Sequence, residues 1–196
     1  NYSYTFTGNT VGTITARALT ITGSAATKVY DGNTISSTSP TITGGALQGS
    51  DIAAFTQTYD NANAGTNKTM TPAGVVNDGN SGNNYTYTFT PANVGTITGG
   101  VLTITANNQS KCHLQTLSFG NDYSVSGLIG TDNVTSVTLS SAGATSGAST
   151  GTYDIVPSNA LGTGLNNYSS INYVNGTLTV NPYIWIGSTN TNWNTS

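Results

Sequence analysis

The chain has 196 residues and a formal net charge of −3, with four basic side chains (Arg17, Lys28, Lys68 and Lys111) against seven Asp and no Glu. That is too little positive charge for a nucleic-acid footprint, and no stretch approaches the roughly 18–20 apolar residues of a membrane-spanning helix. One cysteine, Cys112, excludes an internal disulfide framework.

Thr, Ser, Asn, Gly and Tyr dominate what remains. Thr and Tyr favour strands, Gly and Asn favour turns, and the Glu and Lys that coat helices are nearly missing. The composition reads as all-β with an uncharged polar surface.

In chain order, the first feature is a segment that recurs. Residues 1–23, NYSYTFTGNTVGTITARALTITG, return as residues 84–106, NYTYTFTPANVGTITGGVLTITA, with 15 of 23 positions identical. A repeat of that period reads as an array. Tyr2, Tyr4 and Phe6 alternate with Ser3, Thr5 and Thr7, as Tyr85, Tyr87 and Phe89 do later. Period two predicts a strand with one buried face. Gly8–Asn9 and Pro91–Ala92–Asn93 follow as turns. Second strands are expected at Val11–Thr15 and Val94–Thr98, and third ones at Leu19–Thr22 and Leu102–Thr105. Further on, Gly130–Thr135 reads as a helical turn with Asp132 near its start.

The natural boundary lies between the GTIT strand, which closes one module, and the LTIT strand, which opens the next. Residues 1–15 are then the closing strands of a preceding module. Residues 16–98 form one full module and 99–180 a second, and 181–196 start something further. The expected fold is a tandem of small β-modules stacked end to end, either immunoglobulin-like sandwiches or β-grasp-like sheets. The chain opens in mid-repeat and shows no leader, which reads as a piece of a longer array.

Lys28–Val29–Tyr30–Asp31–Gly32–Asn33–Thr34 follows the first LTIT strand. This run, with NNYTYTFTPANVGTIT at 83–98, resembles the YDG domain of bacterial surface and filamentous-haemagglutinin-like proteins. The second module resembles the related MBG (mostly-beta, glycine-rich) domain. The residues that match are Ser118–Phe119–Gly120, Val125–Ser126–Gly127–Leu128, Gly151–Thr152–Tyr153–Asp154–Ile155 and Asn167–Val180. Where that pattern carries Lys-x-Tyr-Gly, this chain reads Lys111–Cys112–His113–Leu114–Gln115. The resemblance implies a bacterial surface adhesin, biofilm-matrix protein or extracellular fibre. It makes Lys28, Tyr30, Asp31 and Gly32 a structural signature.

Chemistry has few candidates. Cys112 and Gln115 have the C-x-x-Q spacing of an internal thioester, beside the bland reading of a turn with a small apolar Cys. Cys112 and His113 are adjacent, so strand geometry points them to opposite faces and disfavours a dyad. One Cys and one His cannot fill a zinc site. Asp31–Gly32–Asn33 and Asn77–Asp78–Gly79–Asn80 offer calcium-friendly oxygens, but Asx turns explain them without a metal. Trp185 and Trp193 could stack a sugar. Lys28, Lys68 and Lys111 invite an isopeptide crosslink; without Glu, they read instead as solvated or half-buried stems.

The expectation is therefore a non-enzymatic, cofactor-free stalk or fibre segment outside a bacterial cell. Its partners are neighbouring repeats or copies of itself head to tail, with neither nucleic acid nor membrane insertion. Two alternatives are a filament subunit completed by strand addition between copies, and a module that binds glycan or host protein.

Overall fold

The computed structural model describes residues 1–5, 7, 8 and 12–183. It divides into two compact units, Asn1–Thr98 and Gly99–Ser196. Both are all-β. Among the described residues the helical pieces are two three-residue 3₁₀ turns, Ala142–Ala144 and Leu165–Asn167.

Unit 1 contains β1 (Arg17–Thr22), β2 (Ala26–Val29), β3 (Thr41–Gly44), β4 (Ile52–Tyr59), β5 (Gly65–Asn77), β6 (Tyr85–Thr90) and β7 (Ala92–Thr98). One sheet has the order β3-β1-β6 and the other β2-β7-β5-β4. The alternation read from the sequence sets the faces. In β1, Leu19 and Ile21 are buried while Thr20 and Thr22 point away. Each such side chain adds about 1.5–3 kcal/mol when fully buried. They pack against Phe55 of β4, Val76 of β5 and Tyr85 of β6. Both sheets feed this cluster, so the unit is a sandwich.

Unit 2 contains β8 (Gly100–Ala106), β9 (Gln109–Cys112), β10 (Tyr123–Ser126), β11 (Asn133–Ser140), β12 (Gly151–Thr163), β13 (Tyr168–Val174) and β14 (Gly176–Asn181). Its sheets run β10-β8-β13 and β11-β12-β14-β9. Strand for strand this is the order of unit 1. Its core joins Ala106 of β8, Ile155 of β12, and Leu178 and Val180 of β14.

The pairing direction is the informative part. Most contacts are antiparallel, but in each unit the opening strands lie parallel to the closing ones. In unit 1, β1 pairs with β6 from Arg17↔Tyr85 to Thr22↔Thr90, and β2 pairs with β7 from Ala26↔Gly95 to Val29↔Thr98. In unit 2, β8 pairs with β13 and β9 with β14 in the same sense. The chain therefore comes into each unit at one end and leaves it at the other.

One buried polar side chain guards the crossing between sheets. Gln57 is 1% exposed. Its Oε1 accepts from the Ser24 N–H at 2.8 Å, and its Nε2 donates to the Ser24 carbonyl at 3.0 Å. The amide stands in for a strand partner where β1 hands over to β2, pairing both the N–H and the carbonyl of Ser24.

Two expectations are corrected. The strands expected within Tyr2–Phe6 and Val11–Thr15 are not formed at the described residues of that segment, and Tyr2, Tyr4 and Ile14 are exposed. The reason is occupancy: the partners of such strands in unit 1 (β1, β2 and β5) already hold residues 85–98. The helical turn expected at Gly130–Thr135 is instead a tight turn followed by β11 from Asn133. The Asp132 N–H closes that turn on the Ile129 carbonyl at 3.1 Å, with Gly130 at φ 61°. Asp132 does not cap a helix; its carboxylate serves a tyrosine, as described next.

Candidate functional site: the signature turns and the closing-strand seat

In unit 1 the run after β2 forms a turn around a lysine. Lys28 Nζ donates to Asp31 Oδ1 at 2.7 Å, to the Asn33 carbonyl at 2.7 Å and to Asn33 Oδ1 at 2.9 Å. It also sits 5.3 Å from the centre of the Tyr59 ring, a cation–π distance. The Asn33 N–H closes back on Asp31 Oδ1 at 3.1 Å. Gly32 sits at φ 77°, where a side chain would be strained. Tyr30 is buried, and its N–H extends the β2/β7 ladder onto the Thr98 carbonyl at 2.8 Å.

The charges follow from this geometry. The Lys28 hydrogen bond, outweighing partial burial, holds the Asp31 carboxyl below its ordinary range. Burial, reinforced by the Asp31 charge, pushes the Tyr59 phenol up. A second turn is organised by Asp78, which accepts from the backbone N–H groups of Asn80 (2.8 Å), Gly82 (2.8 Å) and Asn84 (3.0 Å). Desolvation raises that carboxyl, and the three N–H donors more than offset it and leave it lowered. Both Asx turns thus spend their oxygens on the protein itself.

In unit 2 the matching run is Lys111–Gln115. His113 takes the place of Tyr30, its N–H donating to the Asn181 carbonyl at 2.8 Å. Lys111 Nζ donates to the carbonyls of Gln115 (2.7 Å) and Thr145. Leu114, which matches Asp31 in position, lies at φ 73°, the left-handed region that Gly32 occupies one residue later in the unit 1 turn. The Cys112 N–H donates to Gln115 Oε1 at 3.0 Å, and the Gln115 N–H returns to the Cys112 carbonyl at 3.2 Å. The structure thus brings the C-x-x-Q pair together, with the carboxamide closing the turn on backbone. His113 Nδ1 lies 2.8 Å from the Ala148 carbonyl, and Cys112 keeps a partly exposed free thiol.

Lys28 is half-buried, as expected, but Lys68 and Lys111 differ from the solvated or half-buried stems expected of them. Lys68 and Lys111 are each 6% exposed. Lys68 is accommodated because its ammonium reaches Asn61 Oδ1 and lies 3.3 Å from Asp60. Desolvation raises the Asp60 carboxyl, but the Lys68 contacts and nearby N–H groups leave it lowered. Lys68 and Asp60 form an ion pair at the foot of the turn, with Asn61 beside them. Trp185 and Trp193 lie outside the described residues.

A further constellation escaped the sequence reading. Tyr85, first residue of β6, donates to Asp51 Oδ2 at 2.5 Å and accepts from the Gln48 N–H at 2.9 Å. Tyr168, first residue of β13, donates to Asp132 Oδ2 at 2.9 Å and accepts from the Ile129 N–H at 2.9 Å. The two seats are Leu47-Gln48-Gly49-Ser50-Asp51 and Leu128-Ile129-Gly130-Thr131-Asp132. A shared L-x-G-[S/T]-D pattern was the available signal. The bond to Asp51, assisted by burial, raises the Tyr85 phenol. Each lock latches the closing strands onto the loop before the fourth strand of its unit.

The same correspondence appears in comparisons with protein families. Residues 15–94 match the YDG domain and residues 102–179 match the MBG domain (YGX type). The chain is a YDG domain followed by an MBG domain. No curated protein and no solved structure gave a match. Both domains are typical of repeat modules in large surface proteins. The YDG signature is the Lys28–Asp31–Asn33 turn at the far end of β2, and the MBG domain places Lys111 at the same point with backbone carbonyls as its partners.

Proposed function

We propose that the chain is a tension-bearing spacer: a structural repeat segment in the stalk or fibre of a bacterial extracellular adhesin or matrix protein. One observation carries this reading. In each domain the opening strands lie parallel to the closing strands, so the chain crosses the domain from end to end. From Arg17 to Val29 the opening pair covers about 40 Å at about 3.3 Å per residue. Each repeat added in series gains that length with no return loop.

The same arrangement governs mechanics. Tension draws β1 towards its N-terminal end and β7 towards its C-terminal end. The hydrogen bonds between parallel opening and closing strands are then loaded together, in shear. An antiparallel hairpin pulled from its open end breaks its bonds one at a time. The tyrosine locks add a side-chain tie at the start of each closing pair. Low charge suits a repeat packed among others, since like-charge repulsion is small.

Single-molecule pulling between the chain ends tests this. Each domain is expected to yield in one all-or-none step that releases about 24 nm, the extended length of about 80 residues less the folded span. The force should clearly exceed that for the β4–β5 hairpin pulled from handles at Ile52 and Asn77. Gradual extension, or yield at the hairpin force, would contradict the proposal.

A further inference from the structure

The turn between β4 and β5 brings together an amine, a carboxamide and a carboxylate. Lys68 Nζ meets Asn61 Oδ1 and lies 3.3 Å from Asp60 Oδ1. Lys68 is buried, whereas Asp60 and Asn61 are exposed. The backbone is shaped for this meeting. Asn67 sits at φ 55°, and β5 shifts register against β7 on both sides of Lys68. Such a bulge re-aims a side chain, and here Lys68 reaches the Asp60–Asn61 turn.

Each group has the neighbour that acyl transfer requires. Asn61 Oδ1 accepts the Asn63 N–H at 3.1 Å. That backbone donor sits on the oxygen where negative charge develops when an amine adds to the carboxamide. Asp60 Oδ1 accepts the Asn61 N–H at 2.9 Å, which holds the carboxylate between nucleophile and leaving group as a proton carrier. The Asn61 carboxamide carbon is one bond beyond the oxygen that Nζ touches, so attack needs only a short shift.

The other two buried or half-buried lysines are placed differently. Lys111 Nζ donates to the backbone carbonyls of Gln115 and Thr145. Lys28 has Asp31 and Asn33 beside it, but its Nζ gives three hydrogen bonds and faces the Tyr59 ring. With three hydrogens committed, that nitrogen carries no lone pair for attack.

We infer that Lys68 and Asn61 join in an intramolecular isopeptide bond, with Asp60 as the proton carrier. The ion pair is the state from which the bond forms. Asp60 takes a proton from the Lys68 ammonium, and the freed lone pair attacks Asn61 Cγ as the carbonyl π pair moves onto Oδ1. Asp60 gives that proton to Nδ2, the Oδ1 pair returns, the Cγ–Nδ2 bond breaks and ammonia leaves. The extra proton on Nζ passes through Asp60 to the ammonia, which departs as ammonium. Asp60 ends as a carboxylate that still accepts the Asn61 N–H. The bond closes residues 61–68 into a covalent ring at the β4–β5 turn, and it does not depend on the tension-bearing role.

Intact-mass measurement and tryptic mapping of the full chain, denatured after folding, test this. The unaltered chain is expected to be lighter than its sequence by one ammonia. Trypsin should fail to cleave after Lys68 and should yield one peptide, Val29–Lys111, with the loss mapped to residues 61–68. Lys68→Arg and Asn61→Ala should each keep the full mass and be cleaved after position 68. Asp60→Asn should delay the loss by about 100-fold or more. An unaltered chain of full mass that is cleaved after Lys68 would overturn the inference, whatever the variants do. An ammonia loss that leaves Lys68 cleavable, or that survives Lys68→Arg, would also overturn it, because a succinimide or a thioester gives that result. A loss at the unaltered rate in Asp60→Asn would overturn the role given to Asp60.

Discussion

In the YDG domain the turn after the second strand is held by an ion pair, and in the MBG domain the matching turn is held by carbonyls. The frames agree: seven strands, the same sheet orders, the same parallel opening and closing pairs and the same tyrosine lock. The fastenings do not. Among the described residues both salt bridges, Lys28–Asp31 and Lys68–Asp60, lie in the YDG domain. The frame is set by alternating apolar residues and by two Tyr–Asp locks, while the turn chemistry varies around it. What the two domains share is therefore the better guide to function.

The largest effect expected is on the shared element. Tyr85→Phe and Tyr168→Phe each remove a hydroxyl that joins a carboxylate to a backbone N–H, and each should destabilise its own domain by about 1.5–3 kcal/mol. Chemical denaturation read by domain-resolved amide exchange checks this. Loss in one domain only would break the equivalence of the locks.

The turns should respond in opposite directions. Gly32→Ala forces a side chain to φ 77° and should cost the YDG domain about 1–2 kcal/mol. Leu114→Gly removes the same strain from the MBG domain and should stabilise it by up to about 1 kcal/mol, reduced by the extra freedom of glycine in the unfolded chain. Thermal midpoints of the two variants give the signs directly. If Leu114→Gly destabilises, the leucine side chain contributes more than its backbone strain costs.

Acid should act on the ion-paired fastenings. Asp31, Asp60 and Asp78 all lie in the YDG domain with folded pKa values lowered. A depressed carboxyl contributes stability that is present above its unfolded pKa, near 3.9, and lost as pH falls through the folded value. The YDG denaturation midpoint should fall between about pH 5 and about pH 2.5, and Asp31→Asn should make that fall smaller. An unchanged pH profile in Asp31→Asn would show that the Lys28 turn adds nothing to stability. The smallest effect concerns Cys112: its partly exposed thiol should be alkylated in the folded chain with little change in stability. A folded protein lighter by one ammonia with an unreactive Cys112 would instead reveal a thioester to Gln115.

Much of this frame was legible in the sequence. Leu19/Ile21 and Leu102/Ile104 alternate with threonine, which gave the opening strands and their buried faces. The NYxYTFT…GTIT repeat gave the closing strands. The pairing of opening with closing strands was not legible, because alternation fixes a face and not a partner. The locks were hidden for a related reason: Tyr85 and Asp51 lie 34 residues apart, Tyr168 and Asp132 lie 36 apart, and no local pattern joins them. The buried lysines were misread because composition gives charge but not its surroundings. Residues 1–15 carry a strand pattern, but their described residues form no strand, since the seat in unit 1 is held by residues 85–98.

The central claim is that opening and closing strands run parallel, so that the chain crosses each domain end to end. Paired cysteines in a Cys112→Ser background test it most directly. Thr27→Cys with Thr96→Cys joins β2 to β7, and Ser110→Cys with Thr179→Cys joins β9 to β14, both at directly paired positions. Each pair should close an intramolecular disulfide on mild oxidation, because neighbouring paired strands bring Cα atoms to a distance a disulfide spans. The control, Thr27→Cys with Asn93→Cys, sits off register and should stay reduced. If the control closes as readily as the paired positions, or neither paired set closes, the parallel frame is wrong.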